Sequence, residues 1–435
     1  MVVLNVSIYL TLSLCSKSNR NKEFVMIYDY IVLGAGITGL TLLKKLREKG
    51  FNNILGLETE SEAGGLCRTF YVDGHACDIG GHFFQTKYPD VEEFVFSAFP
   101  REKMYQINPR ISKIRLDGQD IDYPLEANLW QLPVEKQIAF LISVIRNGEA
   151  LGKPEPKNYE QWIRWKLGDK ICDEYLIPYN NKVWGVPSDE MDVDWLHKIP
   201  RIGVEEILRD SLERTQDVEK YPAHIRPYYP LSGGYGRVIE AIAADVNKFI
   251  RFNTAVSKVR YNENERLWTI NDEFAAKNVI TTIPWRDLFE AMGKPAEIKD
   301  QMTKIKHNKL VISLFETDEN PTPYHWRYIP DMKEQHHREF FISNFAKDSK
   351  NYGTFTETNA DRFDADNLTF KGRNLFNYTT PAAYPLPLIG RTQAIKEILD
   401  FFKPKHLFGV GRWGEHQHHN HDVCMKHAID FVSTI

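Results

Sequence analysis

The chain has 435 residues, of which 42% are hydrophobic and 26% charged, with a formal net charge of −4. That length and apolar content permit a large buried core divided among two or three subdomains, and the near-neutral balance excludes a general electrostatic drive toward nucleic acid or an anionic membrane. Five cysteines, Cys15, Cys67, Cys77, Cys172 and Cys424, are odd in number and lack any CxxC spacing. This argues against a disulfide framework or a cysteine-based zinc site and fits a reducing, cytoplasmic setting.

Residues 1–25 contain an apolar run, Val2 to Cys15, that resembles the core of a signal peptide. No positive charge precedes it, and the basic residues lie on its far side. Secretion is one reading. The other, adopted as the expectation, takes Met26 as the natural start and 1–25 as a non-native or disordered extension, since "MIYDYIVLGAG" begins directly before a strand.

"YDYIVLGAGITGLTLLKKLREKGFNNILGLETE" predicts strand, glycine turn, amphipathic helix and strand, with Ile31 to Leu33 as an apolar run and Leu40, Leu43 and Leu46 at helical spacing. Gly34, Gly36 and Gly39 fit GxGxxG: one glycine for the tight turn, one for close approach of a pyrophosphate, one for helix–strand packing. The helix N-terminus offers free N–H groups to phosphate. Glu58 ends the second strand 19 residues after Gly39, where a ribose-binding carboxylate belongs. Dinucleotide binding is expected, against the alternative of a glycine turn that merely packs.

The next stretch, "SEAGGLCRTFYVDGHACDIGGHFF", adds a second glycine pair and an arginine, with Gly65, Leu66 and Arg68 in sequence. It resembles the extended fingerprint of glutathione-reductase-type FAD proteins, in the branch holding amine oxidases, protoporphyrinogen oxidase and UDP-galactopyranose mutase. The resemblance implies FAD as cofactor and places Gly80, Gly81 and His82 of "IGGHFF" beneath the isoalloxazine ring. For His82 a structural donor and a catalyst both remain open.

From Asp90 to about Pro230, segments such as "PVEKQIAFLISVIRNGEAL" and "NYEQWIRWKLGDKICDEYLI" show helical periodicity and predict a mainly helical insertion. "LSGGYGRVIEAIAADV" predicts a glycine turn and helix, and strand-like alternation follows up to a buried run at Val279 to Ile283. By resemblance this returns the chain to the FAD domain, with the backbone of Val256 at the adenine end. "KLVISLFE" and "REFFISNF" predict a sheet, and "HLFGVGRWGEHQHHNHDVCMKHAIDFV" a final strand, glycine turn and helix; the resemblance implies that Gly411, Arg412 and Asp422 there make the closing cofactor contacts. The expected fold is α/β: a Rossmann-like FAD-binding domain of glutathione-reductase type (26–90, 231–300 and 376–435), a helical insertion (91–230) and a β-sheet substrate subdomain (301–375).

"PYNNKVWGVPSDEMDVDWL" separates the members of the branch. Together with "HWRYIP", "HHREFFISNF", "YPLPLIGR" and "GRWGE" in that order, it resembles the UDP-galactopyranose mutases, most clearly the eukaryotic type, over most of residues 27–435. The resemblance implies that Tyr175 stacks on uracil, Asn180 bonds the base or ribose, Trp184 walls the sugar, and Arg338 holds the diphosphate with the hydroxyl of Tyr384. Arg412 faces the reacting sugar. An aromatic face, an amide and a guanidinium fork are the groups such a ligand needs, although Tyr175 and Trp184 also read as core aromatics and Arg338 as a solvent-facing strand edge.

Some positions depart from the family pattern. His418 stands where a phosphate-binding tyrosine is expected, Asp422 replaces an asparagine, Phe345 replaces a tyrosine, and Ile199 falls at a second phosphate arginine, with Arg201 two residues away. These put the identity of the sugar, or even of the nucleotide, in question more than the fold. The histidines His416, His418, His419 and His421 lack helical ligand spacing, and no metal is expected.

The activity implied is ring contraction of UDP-galactopyranose to UDP-galactofuranose for cell-surface glycan synthesis, with no net redox change. Reduced FAD, formed with NAD(P)H or another donor, attacks the anomeric carbon through N5, displaces UDP, and the flavin–sugar adduct opens and recloses in the other ring size. Arg338, Arg412 and His82 carry the catalytic roles. The alternative is a flavin oxidase of the amine-oxidase or protoporphyrinogen-oxidase kind. A nucleotide sugar is the expected partner, with neither nucleic acid nor an integral membrane segment.

Overall fold

The computed structural model describes residues 26–196, 202–214, 226–318, 322–349 and 352–435; the expected extension at 1–25 lies outside the described residues, as do Ile199 and Arg201. β1 (Ile27–Leu33) ends in three fully buried apolar residues and turns at Gly34, whose φ of 94° suits glycine. In α1 (Ile37–Glu48), Leu40, Leu43 and Leu46 are fully buried, as their spacing predicts. β2 (Ile54–Leu57) stops one residue before Glu58, and the hairpin β3 (Thr69–Val72) and β4 (His75–Asp78) leads to α2 (Pro89–Ala98).

The segment expected to be mainly helical holds β5 (Met104–Gln106), β6 (Ser112–Leu116), β7 (Gln119–Asp122), α3 (Val134–Ile145), α4 (Tyr159–Leu167), α5 (Asp169–Ile171), a π-helical turn Cys172–Leu176, α6 (Ile177–Trp184), α7 (Val204–Glu213) and β8 (Tyr228–Pro230). The helices follow the periodicity. The strands were not predicted, and the reason is local: Asp117 and Gly118 both have positive φ, 50° and 79°, and close a two-residue hairpin in which Ser112, Ile114 and Leu116 alternate inward.

The chain continues through α8 (Gly236–Ala244), β9 (Ile250–Arg251), β10 (Val259–Asn262), β11 (Leu267–Ile270), β12 (Phe274–Thr281), α9 (Trp285–Ala291) and α10 (Lys299–Met302). Then come β13 (Leu310–Thr317), β14 (Trp326–Tyr328), β15 (Arg338–Phe341), β16 (Tyr352–Asn359) and β17 (Arg373–Thr379), followed by α11 (Arg391–Phe402), β18 (Leu407–Gly409), α12 (Gly411–Gly414) and α13 (His421–Thr434).

The first sheet has the order β10-β11-β12-β1-β2-β9, with β18 against β12, and β1 runs parallel to both neighbours. Val32 packs into one core with Leu43, Met425 and Ala428 of α1 and α13, while Ile31 and Leu33 pack into another with Leu288 and Ile398 of α9 and α11. Helices thus cover both faces, the doubly wound arrangement that leaves a crevice at the carboxyl ends of the parallel strands. The second sheet has the order β17-β13-β16-β15-β14-β6-β7. It takes β6 and β7 from the expected insertion, and β17 crosses the expected boundary at 375 to reach Thr379. Ile312, Phe340 and Phe355 join it to the core beside α1, whereas Trp162, Ile171, Tyr175 and Trp184 form a separate helical core. Burying such a side chain contributes about 1.5–3 kcal/mol. Among the described residues no helix is long and apolar enough to cross a membrane, and Cys67, Cys77, Cys172 and Cys424 are buried and unbridged.

Candidate active site

Two glycine loops face each other at the end of β1. A Cβ on Gly39 would lie 2.0 Å from the Gly34 carbonyl oxygen, and one on Gly34 would lie 2.8 Å from Thr282 Oγ1, so these glycines serve packing. Gly36 differs. The nearest atom to an added Cβ is the Cα of Gly65, 4.0 Å away, and Gly36 bridges to Gly64. α1 begins there with no side-chain cap and no acidic residue in its first turn, which leaves its N–H groups and positive dipole end directed at that gap. Glu58 is buried and accepts from Ala35 N at 2.7 Å and Glu60 N at 3.0 Å. Arg68 donates to the Gly65 carbonyl at 3.1 Å and to Tyr378 Oη at 3.2 Å. A side-chain-free gap, an uncapped helix start and a carboxylate at the end of β2 fit the pyrophosphate and ribose of a dinucleotide such as FAD. Val256 packs half-buried beside the Leu55–Leu57 side of the sheet.

The adjoining cavity has a volume of about 880 Å³, and Leu66, Gly81, His82, Arg338, Tyr384, Arg412, His418 and Asp422 all line it. Seven of these eight expected site residues come from the expected cofactor domain, and Arg338 comes from the second sheet. A Cβ on Gly81 would lie 2.0 Å from the Phe340 ring, which accounts for the glycine. The ring of His82 stacks on Tyr235 at 5.8 Å, and its Nδ1 lies 3.2 Å from the Gly80 carbonyl. Burial, with His421 and Arg412 nearby, pulls its pKa down to about 3, so His82 is neutral at physiological pH.

Arg338 opens β15 opposite Glu357 of β16. Its Nε donates to Glu357 Oε2 at 2.8 Å, and Nη2 donates both to that oxygen and to Tyr384 Oη at 3.2 Å. Burial would raise the pKa of Glu357, but Arg338 and His337 outweigh it and hold the carboxyl at about 2. Arg338 is therefore part of a buried network, not a solvent-facing strand edge, and its charge is matched by a carboxylate that sequence reasoning missed.

Gly411 has a φ of 75°, and a Cβ there would lie 2.4 Å from Thr38 Oγ1. Arg412 donates through Nε and Nη2 to the His419 carbonyl at 3.0 and 2.8 Å, and its guanidinium carbon lies 5.9 Å from the centre of the Tyr384 ring. The His418 ring lies 4.7 Å from Tyr384 and 5.2 Å from Trp184.

The helical wall behaves differently. Tyr175, Asn180 and Trp184 are buried and are not among the residues lining the cavity. Asn180 donates to the Leu176 carbonyl at 2.8 Å and accepts from Trp184 Nε1 at 3.1 Å, so its amide is engaged within the helix. Trp184 reaches the cavity only through Tyr384 and His418. Lys182, with no exposure, donates to the carbonyls of Ile329 at 2.9 Å and Asp331 at 2.7 Å, and burial lowers its pKa to about 7. Gly185 ends α6 with φ 72°, against Asn359. The aromatic stretch is therefore a seam between the helical unit and the second sheet. Phe345, expected at a pocket tyrosine position, is buried against Phe83 and Tyr229.

Arg110 and Tyr328 also line the cavity and were not anticipated; Arg110 lies 4.2 Å over the Trp326 ring. The histidine run divides. His416 is buried, His418 faces Tyr384, and His421 contacts His82, whereas His419 meets Glu415 and His427. Burial would raise the Glu415 pKa, but bonds from His419 and His427 hold it at about 2. The i, i+4 spacing of Glu415 and His419 was visible in the sequence; the partnership with His427 needed the fold.

A family profile described as an NAD(P)-binding Rossmann-like domain matches residues 32–97. UDP-galactopyranose mutase of Mycoplasma pneumoniae is 24% identical over 252 residues, covering 55% of this chain and 58% of that protein. Pseudooxynicotine dehydrogenase from a Pseudomonas species is 21% identical over 278 residues, covering 62% and 54%. The chain thus spans little more than half the length of the curated relatives it matches. A crystal structure of reduced UDP-galactopyranose mutase superposes with a TM-score of 0.83 over 94% of each chain at 22% identity. The fold is the one that structure has, and the resemblance read in the sequence is the one these comparisons return.

Proposed function

We propose that the protein is an FAD-dependent nucleotide-sugar mutase that interconverts UDP-galactopyranose and UDP-galactofuranose in the cytoplasm, serving cell-surface glycan synthesis. The observation that carries this reading is the meeting of Arg338, Tyr384, His418 and Arg412 in one cavity with His82 and the glycine loops. FAD, once bound and reduced by NAD(P)H or another donor, supplies a nucleophilic N5 for the anomeric carbon without net redox change.

Gly34, Gly36, Gly39, Glu58, Gly65, Leu66, Arg68, Val256, Gly411 and Asp422 are the residues proposed to hold the cofactor, with Gly81 and His82 against its reactive ring. Arg338 and Tyr384 orient the diphosphate, the first by charge and the second by its hydroxyl. Because Glu357 already engages two guanidinium N–H donors, Arg338 acts as a positioned cation in a fixed plane. His418 walls the sugar with Trp184 packed behind it, and Arg412 faces it. His82, neutral, offers a hydrogen bond without adding charge beside the cofactor.

A flavin oxidase is the second reading, favoured by the likeness to pseudooxynicotine dehydrogenase. The test is nucleotide binding. Quenching of tryptophan fluorescence by UDP should be strong in the parent and lost in Tyr384→Phe combined with His418→Ala, with flavin content unchanged; a parent that does not bind UDP would contradict the proposal.

A further inference from the structure

Glu415, His419 and His427 present three ligand atoms that all lie within 4.8 Å of one another. Glu415 Oε2 lies 2.9 Å from His419 Nε2 and 2.6 Å from His427 Nδ1, and the two imidazole rings meet edge-on at 4.7 Å. We propose that this cluster is a binding site for a borderline divalent ion of the zinc or cobalt class, with water completing the coordination.

The donor set is the first argument. One carboxylate oxygen and two imidazole nitrogens suit such ions, and bonds of about 2.0–2.1 Å in a tetrahedral arrangement place ligand atoms about 3.3 Å apart. The Glu415–His427 contact of 2.6 Å therefore opens by about 0.7 Å and the Glu415–His419 contact of 2.9 Å by about 0.4 Å, while ligand atoms that now lie up to 4.8 Å apart close in. Orientation is the second argument. Gly411 N donates to the other carboxylate oxygen, Glu415 Oε1, at 3.3 Å, and so turns Oε2 toward the imidazoles. The His419 backbone is held through its carbonyl by Arg412, and His427 lies within α13.

Access is the third. The side chains are 24%, 16% and 35% exposed for Glu415, His419 and His427, so ion and water can both reach them. Neighbouring charge does not block the site: Lys426 is paired with Asp90 and Asp430, and the Arg412 guanidinium sits on the carbonyl side of His419. An ion here would pin the segment after α12 to α13, and residues 418–420 of that segment together with 421–423 at the start of α13 line the large cavity. The inference is independent of the proposed reaction.

The test uses the flavin-loaded full chain without a polyhistidine tag, stripped with chelator and titrated with cobalt(II), followed by zinc(II) displacement. The expected result is one cobalt per chain with visible ligand-field absorption, displaced by zinc, and affinity lower by at least about 100-fold in Glu415→Gln and in His427→Ala. His416→Ala should bind as the parent does. Flavin absorption and circular dichroism check the fold; if His427→Ala does not fold, Glu415→Gln, which preserves shape, decides alone. A parent that takes up no cobalt, a cobalt spectrum that survives both substitutions, or loss confined to His416→Ala would overturn the site.

Discussion

Arg338 and Glu357 stand opposite each other on adjacent strands, and two guanidinium N–H groups converge on one carboxylate oxygen that solvent barely reaches. Removing the arginine alone leaves a buried, ionised carboxylate without its partner. Arg338→Ala should therefore lose about 3–5 kcal/mol of stability in urea unfolding, whereas Arg338→Met with Glu357→Gln should recover most of it. A loss below about 1 kcal/mol for the single variant would show that the pair is not coupled as the geometry requires.

The two ends of the first glycine loop should respond differently to the same substitution. Gly39→Val would drive a side chain into the Gly34 carbonyl and should fail to fold, while at Gly36 an added Cβ meets no protein atom closer than 4.0 Å, so Gly36→Val should fold but purify without flavin. Thermal unfolding and the flavin absorption spectrum separate the outcomes. A yellow Gly36→Val protein would remove the cofactor from this loop.

Much of that loop was legible because its information is local: a strand, three glycines and a helical leucine stripe lie within 20 residues. The Asp117–Gly118 hairpin was equally local, but helical periodicity on its C-terminal side led to its strands being read into a helical insertion. Glu357 was not legible. Its meaning depends on the register of β15 against β16, which places it across from a residue 19 positions earlier. The family resemblance placed Tyr175, Asn180 and Trp184 in the pocket, yet the helix turns the Asn180 amide onto Leu176 and Trp184.

Stability should fall as pH drops from about 6.5 toward 4. Burial holds His82 and His416 at about 3 and His325, His337 and His421 at about 4, so across this window the unfolded chain binds protons that the native chain refuses. Burial also pushes Asp78 up to about 6 and Glu126 to about 7, which acts in the opposite sense. Five groups against two leave a net loss of at least about 1.4 kcal/mol per pH unit, readable as a falling midpoint in urea. A midpoint that is flat or rises toward pH 4 would contradict this.

Lys182 predicts the alkaline side. Its native pKa is lowered to about 7, so above that value the unfolded lysine carries a proton that the native one has released, and parent stability should rise toward pH 10 relative to Lys182→Met. The difference between the two proteins should grow by up to about 1.4 kcal/mol per pH unit, and parallel curves would show that Lys182 keeps its ordinary pKa.

The central claim is a nucleotide-sugar isomerisation that needs a reduced cofactor but does not consume it. The direct measurement is to reduce the flavin-loaded protein anaerobically with one equivalent of dithionite, add UDP-galactofuranose, and count UDP-galactopyranose formed per reducing equivalent by chromatography. The account predicts many product molecules per equivalent, and none from the oxidised protein. One product or fewer per equivalent, or oxidation of an amine with release of peroxide in its place, would contradict it.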